Sequence, residues 1–119
     1  MGAHGTGIFD DDVTLDIRDA IDEALLNGLD IDVATQGVLR KYQMRLEDDD
    51  DRPLVWLALA VIQLEHGALQ SEVRRQAMIA VDENLGRWEE AGEDLLGERR
   101  QVLERLKDRM STAAVSDEV

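Results

Sequence analysis

The chain has 119 residues, with two histidines, three serines and no cysteine, and that inventory bounds its chemistry before any fold is considered. Without cysteine there is no disulfide, no thiolate metal site and no thiol nucleophile. Ser71, Ser111 and Ser116 lie in no nucleophile motif. His66 precedes Gly67 at the expected end of a helix, where the helix dipole favours a protonated ring and a structural role. His4 lies in a glycine-rich opening shortly before Asp10, Asp11 and Asp12. One imidazole with carboxylates could hold a divalent ion, but no spacing here enforces it. The opening has no Lys-Ser or Lys-Thr and no preceding strand, so it is neither a phosphate loop nor a dinucleotide turn. Asp48 to Asp51 lacks the glycine-centred loop and terminal glutamate of a helix-loop-helix calcium site. No cofactor, metal or catalytic residue is expected.

Carboxylates are the one chemical group in excess. Twenty-seven Asp and Glu oppose 13 Lys and Arg, giving a net charge of -14. Such abundance singles out no general acid or base. It supplies a field instead, one that repels nucleic-acid phosphates and anionic membranes and attracts basic proteins. The field is uneven: residues 1 to 51 hold 14 acids against 4 bases, and the remainder 13 against 9. The candidate contact residues are therefore Asp16, Asp19, Asp22 and Glu23, together with Asp48, Asp49, Asp50 and Asp51.

The elements that must carry these acids are helical. Aromatic content is only 3%, so the core must be built from Leu, Val, Ile, Ala and Met, which suits packed helices. A first helix is expected from Val13 to Leu26, capped by Asp10 to Asp12 and stopped by Asn27-Gly28. Its outer face carries Asp16, Asp19, Asp22 and Glu23, relieved only by Arg18. A second helix is expected over Asp32 to Glu47, capped by Asp32, with Gly37 costing about 1 kcal/mol against alanine. Glu47 to Asp51 reads as a self-repelling loop. Residues 53 to 66 read as a central helix, apolar nearly all round, with Trp56 in the core. A fourth helix starts at Ser71, and Asn84 to Gly92 reads as a mixed connector in which Trp88 covers the core edge. A last helix over Asp94 to Met110 interleaves Arg99, Arg100, Arg105 and Arg109 with Glu98, Glu104 and Asp108 as surface pairs. The chain thus reads as all-α: one domain over residues 1 to 110, about five helices around residues 54 to 66, and a flexible tail over 111 to 119.

Ile8-Phe9, placed between the glycines and the first helix cap, is expected to pin the opening to the body. The opening Met1-Gly2-Ala3-His4-Gly5-Thr6-Gly7-Ile8-Phe9 resembles that of the bacterial family catalogued as domain of unknown function 4259. Its members typically begin Met-Gly-Ala-Trp-Gly-Thr-Gly-x-Phe-x-x-Asp, and His4 departs from the usual Trp. Residues 56 to 60, Gly67 and the run from Arg87 to Gly92 look like later landmarks of some members. The resemblance implies no activity, cofactor or site residue that can be carried over.

No basic region followed by an apolar run is visible, and the longest apolar stretch, residues 54 to 62, is about half of what a bilayer requires. The expected location is the cytoplasm. Two functions from different classes fit. One is a small acidic binding module that masks a basic protein, in the manner of an immunity protein or antitoxin. The other is a structural or scaffold protein whose acidity only keeps it in solution. A metal-dependent enzyme centred on His4 and Asp10 to Asp12 is a distant third.

Overall fold

A computed structural model describes residues 7–116, and these form six α-helices and no strand: α1 (Asp12–Leu26), α2 (Ile31–Lys41), α3 (Gln43–Leu46), α4 (Asp51–Glu65), α5 (Ser71–Trp88) and α6 (Glu93–Thr112). The fold is all-α, as the residue pattern implies. The organising element is α4. Val55 and Leu57 through Gln63 are all buried, and α1, α3, α5 and α6 pack against it. A helix without a polar face can be stable only when others surround it. Trp56 corrects the expectation of a core residue: it is half-buried and lies against the core rather than within it.

α1 and α2 form a hairpin. The Asp11 carboxylate accepts from the Thr14 backbone N–H at 2.9 Å and so caps α1. Gly28, at φ 87, makes the turn that ends it. α2 starts at Ile31 with Asp30 at the cap position, so Asp32 lies in the first turn rather than at the cap. The helix also stops ten residues on, at Lys41, and Tyr42 separates it from the single turn of α3. That break lets both Tyr42 and Leu46 lie half-buried against the core.

Two further corrections concern the C-terminal half. The expected connector is mostly helix: α5 runs on through Gly86 to Trp88, a 3-10 turn follows over Glu89–Ala91, and Gly92 turns the chain at φ 102. The burial of Asn84 and partial burial of Leu85 outweigh the cost of the helical glycine. The tail, in turn, is tied down through residue 116. α6 extends to Thr112, Val115 is buried, and the Ser116 N–H donates to the Leu69 carbonyl at 2.7 Å. The expected burial of Ile8 and Phe9 holds for Ile8, while Phe9 is only half-buried against the core. His4 and the residues around it lie outside the described part of the chain.

Candidate functional site

On α1, residues 12, 16, 19 and 23 follow one another by three or four positions and so share one face. Asp22 stands beside it, three residues from Asp19 and one from Glu23. Asp16, Asp19, Asp22 and Glu23 are all exposed. Among the described residues none of them forms an ion pair within 4.0 Å. Arg18 does not relieve them. Its guanidinium lies 4.1 Å from the centre of the Phe9 ring and donates to both carboxylate oxygens of Glu65, at 3.0 and 2.9 Å, turned away from Asp22 four residues on. Asp16, Asp19 and Glu23 instead line a shallow groove opposite Lys41, Tyr42 and Arg45.

The second set of candidates has a different environment. Asp48 accepts from the backbone N–H groups of Asp50 and Asp51 at 2.8 and 3.1 Å, closing the turn that starts α4. Those two backbone bonds are the chief reason its carboxyl titrates below the ordinary value of 3.8, with the charges of Arg87 and Arg45 adding to them. Asp49 pairs with Arg52 at 3.1 Å, Asp51 with Arg45 at 3.0 Å, and Asp50 with Arg87. Arg52 also reaches Glu83 on α5 at 2.9 Å. The expected open loop is therefore a closed turn, because Asp48 accepts two backbone N–H groups and the other three aspartates pair with arginines. Arg45 stands between the two acidic sets, paired to Asp51 and lining the groove of Asp16 and Asp19.

Asp10 and Asp11 belong with the engaged set as well. Asp10 accepts from the Gly7 N–H at 2.8 Å, and both carboxylates lie in the field of Arg99. Arg99 overturns the expectation of a surface arginine: it is 2% exposed. Its Nε donates to Asn84 Oδ1 at 2.7 Å, one terminal nitrogen donates to the Gly7 carbonyl at 3.0 Å, and the Trp88 ring lies 5.2 Å from the guanidinium. Burial pushes its pKa down from the ordinary arginine value, and the charges of Asp11 and Asp10 oppose that shift. Trp88 is half-buried and covers this cluster, as a core-edge lid would. The spacing held a signal for Arg99, since it precedes Leu103, Leu106 and Met110 on the buried stripe of α6 by four, seven and eleven residues. The expected surface pairs are absent. Among the described residues, Arg100, Arg105 and Arg109 form no ion pair within 4.0 Å with Glu98, Glu104 or Asp108.

Two other polar groups are structural. Gln63, fully buried in α4, donates to Thr35 Oγ1 at 3.0 Å and to Gln70 Oε1 at 2.8 Å, and accepts from the Gln70 N–H at 2.9 Å. This amide ties α2 and the start of α5 to the central helix. His66 is exposed at the end of α4, where its backbone N–H donates to Ile62. Among the described residues no three His, Asp or Glu side chains are arranged to hold a metal ion. No described helix is long and apolar enough to cross a membrane.

Comparison with protein-family models, with curated proteins and with solved structures finds no match for this chain. The class that the structure defines is the fold itself: an all-α array around α4, bearing an exposed acidic face on α1.

Proposed function

We propose that this chain is a non-enzymatic binding module for a basic protein, acting in the cytoplasm as a masking protein of the immunity or antitoxin kind. The contact face in this reading is α1, through Asp16, Asp19, Asp22 and Glu23. The observation that carries it is that, among the described residues, no ion pair forms at these four exposed carboxylates, on a helix whose only arginine is engaged elsewhere. Like charges three and four residues apart cost an isolated helix a few tenths of a kcal/mol per pair. A face held in that state leaves its carboxylates open to the cations of a partner. The turn at Asp48 to Asp51 contributes long-range field and little direct contact, because its carboxylates are already bonded. Association steered by such a face falls steeply with salt.

The test is a pull-down from lysate at low salt, followed by a salt titration of the captured complex. The variant D16K/D19K/D22K is expected to lose capture of a basic protein while keeping its helical circular dichroism. Glu98→Lys with Glu104→Lys, in the more balanced half, is expected to retain most of it. Failure to recover any basic protein, or recovery of one indifferent to both salt and the α1 reversals, would leave solubility as the purpose of the acids.

A further inference from the structure

The α1–α2 hairpin carries a second feature beside its acids. Between the two helices runs a groove of about 370 Å³ with Ala20, Ala24, Ala34 and Gly37 along its floor. A Cβ built on Gly37 meets no atom within 4 Å, so this floor is open to an incoming side chain. Two large apolar side chains of its lining stand in water: Val33 is 49% exposed and Leu29 46%. Of the seven large apolar residues exposed among the described ones, these two and Leu26 at the end of α1 fall within residues 26 to 33. Such crowding marks a contact surface rather than scattered surface leucines.

The walls of the groove differ in sign. Glu23 stands on the α1 side, with Arg40 and Lys41 on the α2 side. Asp16 and Asp19 lie at the level of Lys41 and Arg45. A uniformly basic helix laid here would meet Arg40 and Lys41, and a uniformly acidic one would meet Glu23 and Asp16. The occupant needs a basic edge over α1, an acidic edge over α2 and apolar groups between them.

We propose that the occupant is a second copy of this chain, the two hairpins packing face to face about a two-fold axis parallel to their helices. That rotation keeps each residue at its level along the hairpin and exchanges left with right, so α1 of each copy lies over α2 of the other. The contact is isologous and therefore closes at two copies. Glu23 and Asp16 of one copy meet Arg40 and Lys41 of the other, twice. Val33 and Leu29 close over Ala20, Ala24 and Gly37, whose small size lets the helices approach. The other possible axis, in the contact plane but across the helices, would stack α1 on α1 and set acid against acid, which costs affinity. The dimer does not rest on the basic-partner reading. The two share Glu23 and Asp16, so a basic partner and a second copy compete for that edge.

Sedimentation equilibrium of the purified chain at about 0.15 M salt, where the overall charge is screened beyond a Debye length of about 8 Å, tests this directly. A reversible dimer is expected between micromolar and millimolar concentration. Val33→Glu is expected to weaken it about tenfold or more with unchanged helicity, as loss of a central apolar contact does. Gly37→Gln fills the floor without adding charge or straining the isolated chain, and is expected to weaken it too. Glu23→Lys and Lys41→Glu are each expected to weaken the dimer, although the first makes the chain less acidic and the second more so. Together they keep the net charge and are expected to restore it. A monomer at every concentration would overturn the proposal. So would a dimer indifferent to Val33→Glu and Gly37→Gln, or one that Glu23→Lys strengthens. Because only the purified chain is used, none of these outcomes bears on whether a basic partner exists.

Discussion

The acids of α1 and those of the turn before α4 are alike in composition and opposite in circumstance. Asp48 to Asp51 sit where backbone N–H groups at a helix start are otherwise unbonded and where Arg45, Arg52 and Arg87 converge. Each of these carboxylates is thereby absorbed into the fold. Asp16, Asp19, Asp22 and Glu23 sit beyond the first turn of α1, where each backbone N–H has a carbonyl four residues back to bond and the single arginine faces Glu65. Helix position, more than charge density, decides whether a carboxylate serves the structure or remains available. By the same rule Asp10 and Asp11, at the start of α1, belong with the turn: one closes on Gly7, the other caps the helix, and both balance Arg99.

If that division is correct, disturbing the engaged acids or their cations should destabilise the fold, and disturbing the α1 face should not. The largest effect is expected at Arg99. Arg99→Ala leaves Asn84 Oδ1 without its donor, takes from the Gly7 carbonyl the shorter of its two hydrogen bonds, and opens a cavity under Trp88. A loss of about 2–4 kcal/mol in urea unfolding is expected, from an unsatisfied buried acceptor and lost packing together. Arg99→Lys is expected to recover only part of it, since an ammonium cannot reproduce the planar fork.

A smaller loss is expected at Asp48. Asp48→Ala removes the acceptor for two backbone N–H groups and should lower the melting temperature, whereas Asp48→Asn keeps an acceptor and should lower it less. The same group gives a pH dependence of definite sign. Its folded pKa lies below the ordinary value of 3.8, so its contribution is fully present above that value. It is lost as pH falls through the lower folded value. Thermal melts from pH 6 down to pH 2 should therefore show a steeper acid loss in the parent chain than in Asp48→Asn. Equal slopes would mean that the turn is not closed by this carboxylate.

The smallest effect, and one of opposite sign, is expected on α1. Asp19→Ala relieves repulsion with Asp16, Asp22 and Glu23 and replaces Asp with the best helix former. A gain of roughly 0.5 kcal/mol in urea unfolding is expected. A loss of that size would show that Asp19 is engaged in the fold after all.

The helical class, the central place of α4 and the anchoring by Ile8 were legible because hydrophobic periodicity and the capping aspartates pointed the same way. The fates of the acids were not. A run such as Asp48 to Asp51 reads as self-repulsion until the fold brings Arg45 and Arg87 to it, and Arg87 comes from a helix that packs across α4. Asn84 and Gly86 suggested a connector, because nothing local reveals that Asn84 is bonded by an arginine fifteen residues later. Arg99 could have been found, since it occupies a buried register on α6. Its charge argued for the surface, and charge was the weaker signal there.

The claim that α1 presents a free acidic face is tested most directly by association kinetics against the captured basic partner. The parent chain, D16K/D19K/D22K and the Glu98→Lys, Glu104→Lys double variant would be compared over a range of salt. The α1 reversals are expected to slow association about tenfold or more at low salt, with the difference shrinking as salt rises. The α6 reversals are expected to do much less. Slowing that follows only the number of charges reversed, whichever helix carries them, would contradict a localised face and reduce the acids of α1 to a share of the overall charge.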